Sequence, residues 1–526
     1  MPWMLRSTAL CLVYFPLGGF FGCEDTQPAT SSLVTYAQQD DDAGSAPAPD
    51  AQRIWRAGST GAFPRSLSYA ARTGTLTTLN LAGPTETAGH PFFTPLGDNG
   101  RACITCHQPA DGMSLSAQTA SQIWAESGAD DPLFAAVDGS NCPSLPQRQK
   151  SSHSLLLEKG LFRIPRPWPP LAADGKPIEP EFTLEVVRDP TGCNLDFRYG
   201  LYSQKPMVSV YRRPRPAANL KYATGMGFSF DPKNGLPLVL DRETGEPTSG
   251  NLLADVRVRT LRAQAVDALV SHAGLHGNPD AAQLDAIIAF ETQLYTAQSA
   301  DTRAGDLTGH GALGGPEALA QAPAAQLQSS TMNPIWGEFT AWAPPANAPA
   351  APSGDDPARA FRESVARGAK LFASRQFLVS DSAGITDTGF GNPVRNSCAF
   401  CHNMLHVGLD VAPGQVDLGT SNLPHANSQP DLPLFRLTCH TDAEPHPHLG
   451  RVIYTHDPGY ALTTGKCIDI GKITAQSMRG LSGRAPFFSN GSAKTLADVV
   501  TFYDERYAME LTDQEKLDLQ HLLEVL

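Results

Sequence analysis

The chain has 526 residues, 41% of them hydrophobic and 18% charged, with a formal net charge of −13. That length allows two or more domains with cores of their own. The acidic balance argues against nucleic acid, whose phosphates reward clustered Lys and Arg, and is compatible with a basic redox partner.

The first 23 residues read as an export signal. Arg6 supplies a minimal positive start, and Ala9 to Phe21 is an apolar run. That run is too short to cross a bilayer, which takes about 20 residues. Gly22-Cys23 closes it. A small residue before Cys is the pattern of a bacterial lipoprotein signal, although Phe20 stands where such signals usually carry Leu. Two readings stay open: a lipid anchor at Cys23 that tethers without spanning, or an ordinary secretory signal with an incidental Cys23. Both place the protein in the periplasm or cell envelope. Residues 24–60, rich in Ala, Ser, Pro, Gln and Asp, read as a disordered tether.

Residues 61–300 read as a first domain. It contains Cys103-Ile104-Thr105-Cys106-His107 and ends in Gln283–Leu294, where apolar residues recur at helical spacing. Pro165-Arg166-Pro167-Trp168-Pro169-Pro170 excludes a helix and marks an irregular insertion. Residues 301–355 shift to Ala, Pro and Gly and read as a linker. Residues 356–526 read as a second domain. Its amphipathic stretch Ala360–Phe372 precedes Cys398-Ala399-Phe400-Cys401-His402, and Thr495–Tyr507 and Thr512–Val525 read as two further helices. No short-period repeat is present.

The two CxxCH motifs carry the chemistry. Two cysteines at this spacing add across the vinyl groups of a haem, and the following His lies under the iron. The alternatives are a zinc knuckle and a redox dithiol. Zinc would require a second CxxC or paired His in the same half, and neither half has a second CxxC. The expectation is two covalently bound haem c groups, with His107 and His402 as iron ligands. The sequence leaves a bound Ca²⁺ open. The expected fold is mostly α, as two cytochrome-c-like haem domains with long irregular insertions.

Outside the signal and the motifs, the cysteines are Cys142, Cys193, Cys439 and Cys467. In an oxidising compartment these pair as disulfides more readily than they stay free. Four cysteines permit three pairings. The local pairing, Cys142–Cys193 with Cys439–Cys467, keeps each bridge beside its own motif.

The layout resembles the bacterial di-haem cytochrome c peroxidase family, which includes MauG. The resemblance is strongest over Met478–Leu496, which is similar to the family's "LRNV-x-x-TAPYFHDGS-x-x-TL" stretch. It continues in Phe361–Ser382, ahead of the second motif, and in Gly97–Ala102, ahead of the first. Tyr211–Leu220 resembles the segment between the haems, where Phe230 stands in place of the family's bridging Trp. Leu261-Arg262-Ala263-Gln264-Ala265 matches "L-x-x-QA" and so implies that Gln264 belongs to the distal pocket of the first haem. The family's catalytic Glu falls at Gly274, so this chain lacks that acid.

The resemblance also places the sixth ligand of the second haem eight residues after Thr495, at Tyr503. A phenolate there favours ferric iron, whereas the Met of the peroxidases raises the potential. The bland alternative is that Tyr503 packs its helix into the core. Rival ligands are His425, His440, His446, His448 and His456, which otherwise read as a solvated loop. His406 reads as a supporting contact. For the first haem, Met113 is too close in sequence to reach the opposite face, and His153 is a candidate. His272 lies eight residues after Gln264 on one predicted helix, where it could shuttle a proton between peroxide oxygens, or else sit at a helix end on the surface.

The implied function is a peroxide-using di-haem oxidoreductase with Gln264 and His272 at its catalytic site. H2O2 is the implied substrate, and a small redox protein the electron donor. The alternatives are an electron-transfer cytochrome without catalytic activity and a di-haem oxygenase resembling the rubber oxygenases.

Overall fold

The computed structural model describes residues 54–224, 248–321, 337–345, 356–402, 408–409 and 415–526. The signal, Cys23, most of the tether, Phe230 and His406 lie outside the described residues.

Four helices around the two motifs follow from local sequence signals. Thr260 accepts a hydrogen bond from the Ala263 amide and starts the helix Leu261–Ser271. Asp280 does the same for Ala281–Thr292. Asp356 caps Pro357–Ser374, where Pro occupies the first turn and loses no needed N–H. Thr495 and Asp498 form a reciprocal capping box for Leu496–Tyr507. A fifth helix, Asp513–Glu524, begins with the same device from Thr512 and Glu515 and packs against Pro357–Ser374.

The mostly α expectation is overturned. The protein is mixed, 33% helical and 18% strand, with several small sheets. One antiparallel sheet runs Ser66–Ala71, Gly74–Asn80, Leu294–Asp301, Gly305–Asp306. A second has Leu434–Cys439 at its centre, between Val452–Thr455 and Phe182–Arg188. A ribbon pairs Phe162–Pro167 with Met207–Arg212. The physical reason is period. Phe182-Thr183-Leu184-Glu185-Val186-Val187-Arg188 alternates in burial every second residue, so one face packs and the other meets solvent. The Pro-rich stretch excludes a helix but tolerates a two-stranded ribbon, where few ladder bonds are needed from its prolines.

Phe182–Arg188 belongs to the first half of the sequence and Leu434–Cys439 to the second, so the halves share a sheet. Pro47–Leu526 forms a single unit. Each half keeps its own apolar cluster. One gathers Trp55, Phe63, Phe92, Phe93 and Phe290 near the first motif. The other gathers Phe361, Val365, Phe372, Val500 and Leu522 near the second. Where described, the Ala/Pro-rich stretch is more than a spacer: Leu307, Phe339 and Trp342 are buried in that second cluster. No helix of the described residues is long and apolar enough to cross a membrane.

Candidate functional site: two matched CxxCH cavities

Each motif makes one helical turn, Cys103–Cys106 and Cys398–Cys401. The residue before the turn has φ −122° and ψ 170° at Ala102, and φ −122° and ψ 169° at Ser397. The histidine after it has φ −107° and ψ 74° at His107, and φ −108° and ψ 77° at His402. Six residues further on, a backbone in the left-handed region turns its carbonyl back onto the ring. Nδ1 of His107 lies 2.9 Å from the Met113 carbonyl, and Nδ1 of His402 lies 3.0 Å from that of Gly408. Those residues have φ +60° and +83°. A phenylalanine ring stands 6.4 Å from each imidazole, Phe92 in one case and Phe372 in the other.

This arrangement fixes the tautomer. The ring N–H at Nδ1 donates to the carbonyl, which leaves the Nε2 lone pair for a metal or a proton. Burial lowers the pKa of both histidines, which favours the neutral form that ligates metal. Burial likewise pushes the Cys106 and Cys398 thiols up to about 12.

The first cavity, of about 220 Å³, is lined by Cys103, Cys106 and His107 together with Gln264, His272 and Glu291. It brings together every first-half residue that the sequence singled out for catalysis. His272 caps the end of Leu261–Ser271, and its Nδ1 lies 2.5 Å from Oδ2 of Asp138. Asp138 is buried and takes a hydrogen bond and ion pair from the buried Arg101. Burial opposes its ionisation, but Arg101 and His272 outweigh that and hold its carboxyl below the usual carboxylate range. Glu291 contrasts with it. Glu291 is buried, its Oε2 has no hydrogen-bond partner, and burial pushes its pKa up to about 8.

Sequence reasoning missed Asp138, Arg101 and Glu291. Asp138 lies far from His272 along the chain, and no local signal ties the two. Arg101 was visible as the residue two before Cys103. Glu291 sits inside a helix with strong apolar periodicity, where an acid between Phe290 and Thr292 reads as solvent-facing. His153 and Met113 do not serve the first cavity as side chains. His153 is buried with both ring nitrogens on backbone carbonyls, of Gly139 and Gln147. Met113 contributes its carbonyl to His107.

The second cavity, of about 200 Å³, is lined by Cys398, Cys401, His402 and Tyr503. Burial raises the Tyr503 phenol above its usual value. None of His425, His440, His446, His448 and His456 lines this cavity. They are not uniformly solvated either, since His446 and His456 are buried. His456 is held by the carbonyls of Pro433 and Ala426, and His448 meets the Thr386 hydroxyl.

The remaining described cysteines pair as Cys142–Cys193 and Cys439–Cys467, the local pairing, so neither disulfide uses a CxxCH cysteine. Among the described residues, no three His, Cys, Asp or Glu side chains cluster as a metal site. No protein-family model, curated protein or solved structure matches the chain.

Proposed function

We propose that this protein is an exported di-haem c-type oxidoreductase that uses peroxide, with one haem attached at each CxxCH motif. The observation that carries the reading is the match between the two sites. The same torsions, the same carbonyl on Nδ1 and the same neighbouring ring recur at motifs from opposite ends of the chain. A zinc or dithiol site would not require a cavity beside the CxxCH histidine at both places.

The residues present fit the group. At each site two cysteines lie outside the disulfides, one turn apart, and the following His keeps Nε2 for iron. Cys103, Cys106 and His107 would hold one haem; Cys398, Cys401 and His402 would hold the other, with Tyr503 as the further ligand. A haem bound there supplies redox-active iron. The chain's own part in the first cavity is proton handling. Asp138 fixes the His272 ring through Nδ1, so Nε2 is the atom that takes a proton from one peroxide oxygen and returns it to the other. Gln264 supplies a neutral amide to orient the peroxide. The two disulfides support an oxidising compartment such as the periplasm. The electron donor in this reading is a small redox protein.

A second reading has support in the same contact. Metal-bound histidines almost always donate their other N–H, and a carboxylate is one of the usual acceptors. If His272 Nε2 were an iron ligand, both sites would be closed and the protein would be an electron carrier.

Two measurements test these readings. Intact mass is expected to exceed the processed chain by two haems, with one lost in Cys106→Ala and the other in Cys401→Ala. A mass without haem overturns the proposal. One high-spin site in the ferric spectrum supports the peroxide enzyme, and two low-spin sites support the carrier.

A further inference from the structure

The wall between the two cavities contains arginines that the chain leaves without an acid. Arg213 lines both cavities, Arg215 lines the first and Arg484 lines the second. Arg213 and Arg484 are buried. Their N–H groups go to neutral acceptors. Arg213 donates to the carbonyls of Lys159, Leu115 and Arg484 at 3.1, 3.1 and 2.7 Å. Arg215 donates to those of Ala475 and Thr474 at 2.7 and 2.8 Å. Arg484 donates to the carbonyls of Ser477 and Arg479 at 2.8 and 2.9 Å. Nε of Arg215 and Nε of Arg484 have no partner.

Other arginines on the first cavity are treated differently. Arg212 grips Asp457 with two bonds, at 2.6 and 2.8 Å, and Asp255 at 2.7 Å. Arg257 pairs with Asp255 and Asp267, and Arg101 with Asp138. Among the described residues, no ion pair reaches Arg213, Arg215 or Arg484, and no Asp or Glu lines the second cavity. Backbone carbonyls satisfy hydrogen bonds but carry no net charge. A buried cation without a counter-charge is costly. Burial, and then the neighbouring arginines, pull Arg213 and Arg215 down to about 9; burial alone pulls Arg484 down to about 10. Asp111 acts on Arg213 and Asp255 on Arg215 without forming an ion pair, and neither offsets the cost of burial, so these three groups on one wall can take further negative charge.

We infer that Arg213, Arg215 and Arg484 form a carboxylate receptacle between the two sites, Arg215 serving the first cavity, Arg484 the second and Arg213 both. The inference rests on the haem reading, in which the carboxylates are the haem propionates. The guanidinium fork suits a carboxylate, and its stacking of two N–H groups gives direction as well as charge. One shared positive charge, that of Arg213, would act on both haems.

The test uses the full-length protein carrying both haems, confirmed by intact mass. The readouts are the propionate bending bands in resonance Raman spectra and the two reduction potentials. Bands are assigned to a site with the single-haem variants Cys106→Ala and Cys401→Ala. Arg215→Gln is expected to shift the band and lower the potential at the first site only, Arg484→Gln at the second only, and Arg213→Gln at both. Arg213→Lys guards against misfolding, since it keeps the charge: the potentials should stay near wild type while the bands still move. With both haems attached, bands and potentials unchanged in all the variants would overturn the receptacle and leave the arginines as ties between carbonyls. A mass without haem would overturn this inference together with the haem reading, so the two failures are told apart.

Discussion

The hydroxyl of Tyr503 lies 3.3 Å from Nε2 of His402, with the two rings edge to face at 88°. Since His402 Nδ1 donates to Gly408, Nε2 is the acceptor and the phenol donates. The atom a metal would take is thus the atom the tyrosine addresses. A haem iron at this site would meet both groups, and its charge would favour the phenolate that burial alone disfavours. Tyr503→Phe should make the second site bind cyanide at least ~10-fold more tightly, which corresponds to about 1.4 kcal/mol. Tyr503→Met should raise the potential of one haem and leave the other near its original value. Unchanged spectra and potentials in Tyr503→Phe would make Tyr503 a packing residue.

Asp138 does two jobs, holding the His272 ring and neutralising Arg101. Asp138→Asn keeps the shape but offers no charge to the proton-carrying ring. Peroxide consumption should fall by about 10²–10⁴-fold. Asp138→Asn and Asp138→Ala both leave the buried Arg101 without its counter-charge, and each should cost about 3–5 kcal/mol of stability as well. Stopped-flow decay of peroxide and denaturant melts separate the two effects. If Asp138→Asn destroys peroxide at the wild-type rate, His272 is not the proton carrier.

Glu291 gives a stability signature in pH. Its folded pKa, pushed up to about 8, lies above the ordinary value of 4.5, so the folded state holds a proton that the unfolded state releases between those values. The associated stability is fully present below about 4.5 and is lost as pH rises toward 8. Glu291→Gln should remove that slope, and the difference between wild-type and variant melting curves should grow across this window and then level off. A constant difference from pH 4.5 to 8 would show that Glu291 is ionised in the folded protein.

The disulfides bracket segments of unequal length, with sequence separations of 51 for Cys142–Cys193 and 28 for Cys439–Cys467. Longer closed loops restrict the unfolded chain more. Removing the first by Cys142→Ala with Cys193→Ala should cost about 4 kcal/mol in denaturant unfolding, slightly more than removing the second. Equal stability with and without either bridge would contradict this.

Much of the site was legible because its signals are local. The CxxCH spacing names its own ligands, and Thr495 and Thr512 announce helices that form where expected. Gln264 stands in the first turn of the helix Leu261–Ser271 and His272 at its C-terminal end, and both line the first cavity. What was not legible depends on distance along the chain. Asp138 reaches His272 only through tertiary packing, and Leu434–Cys439 finds Phe182–Arg188 across nearly half the sequence. The strands were hidden for a further reason. Short alternating runs such as Phe182–Arg188 carry a weak signal beside the strong helical periodicity of Gln283–Leu294.

The shared sheet bears on how such a chain can be rearranged by recombination. Modules that exchange freely between genes end where few contacts cross the boundary. Here the register from Phe182↔Cys439 to Arg188↔Leu434 crosses it, and Lys159 adds a link to Asp431. A chimera that replaced the C-terminal CxxCH half with that of another protein would leave Phe182–Arg188 as a bare strand edge, open to wrong partners. A graft that carries residues 182–188 along with the half they pair with closes that edge, whereas one cut in the Ala/Pro-rich stretch should aggregate.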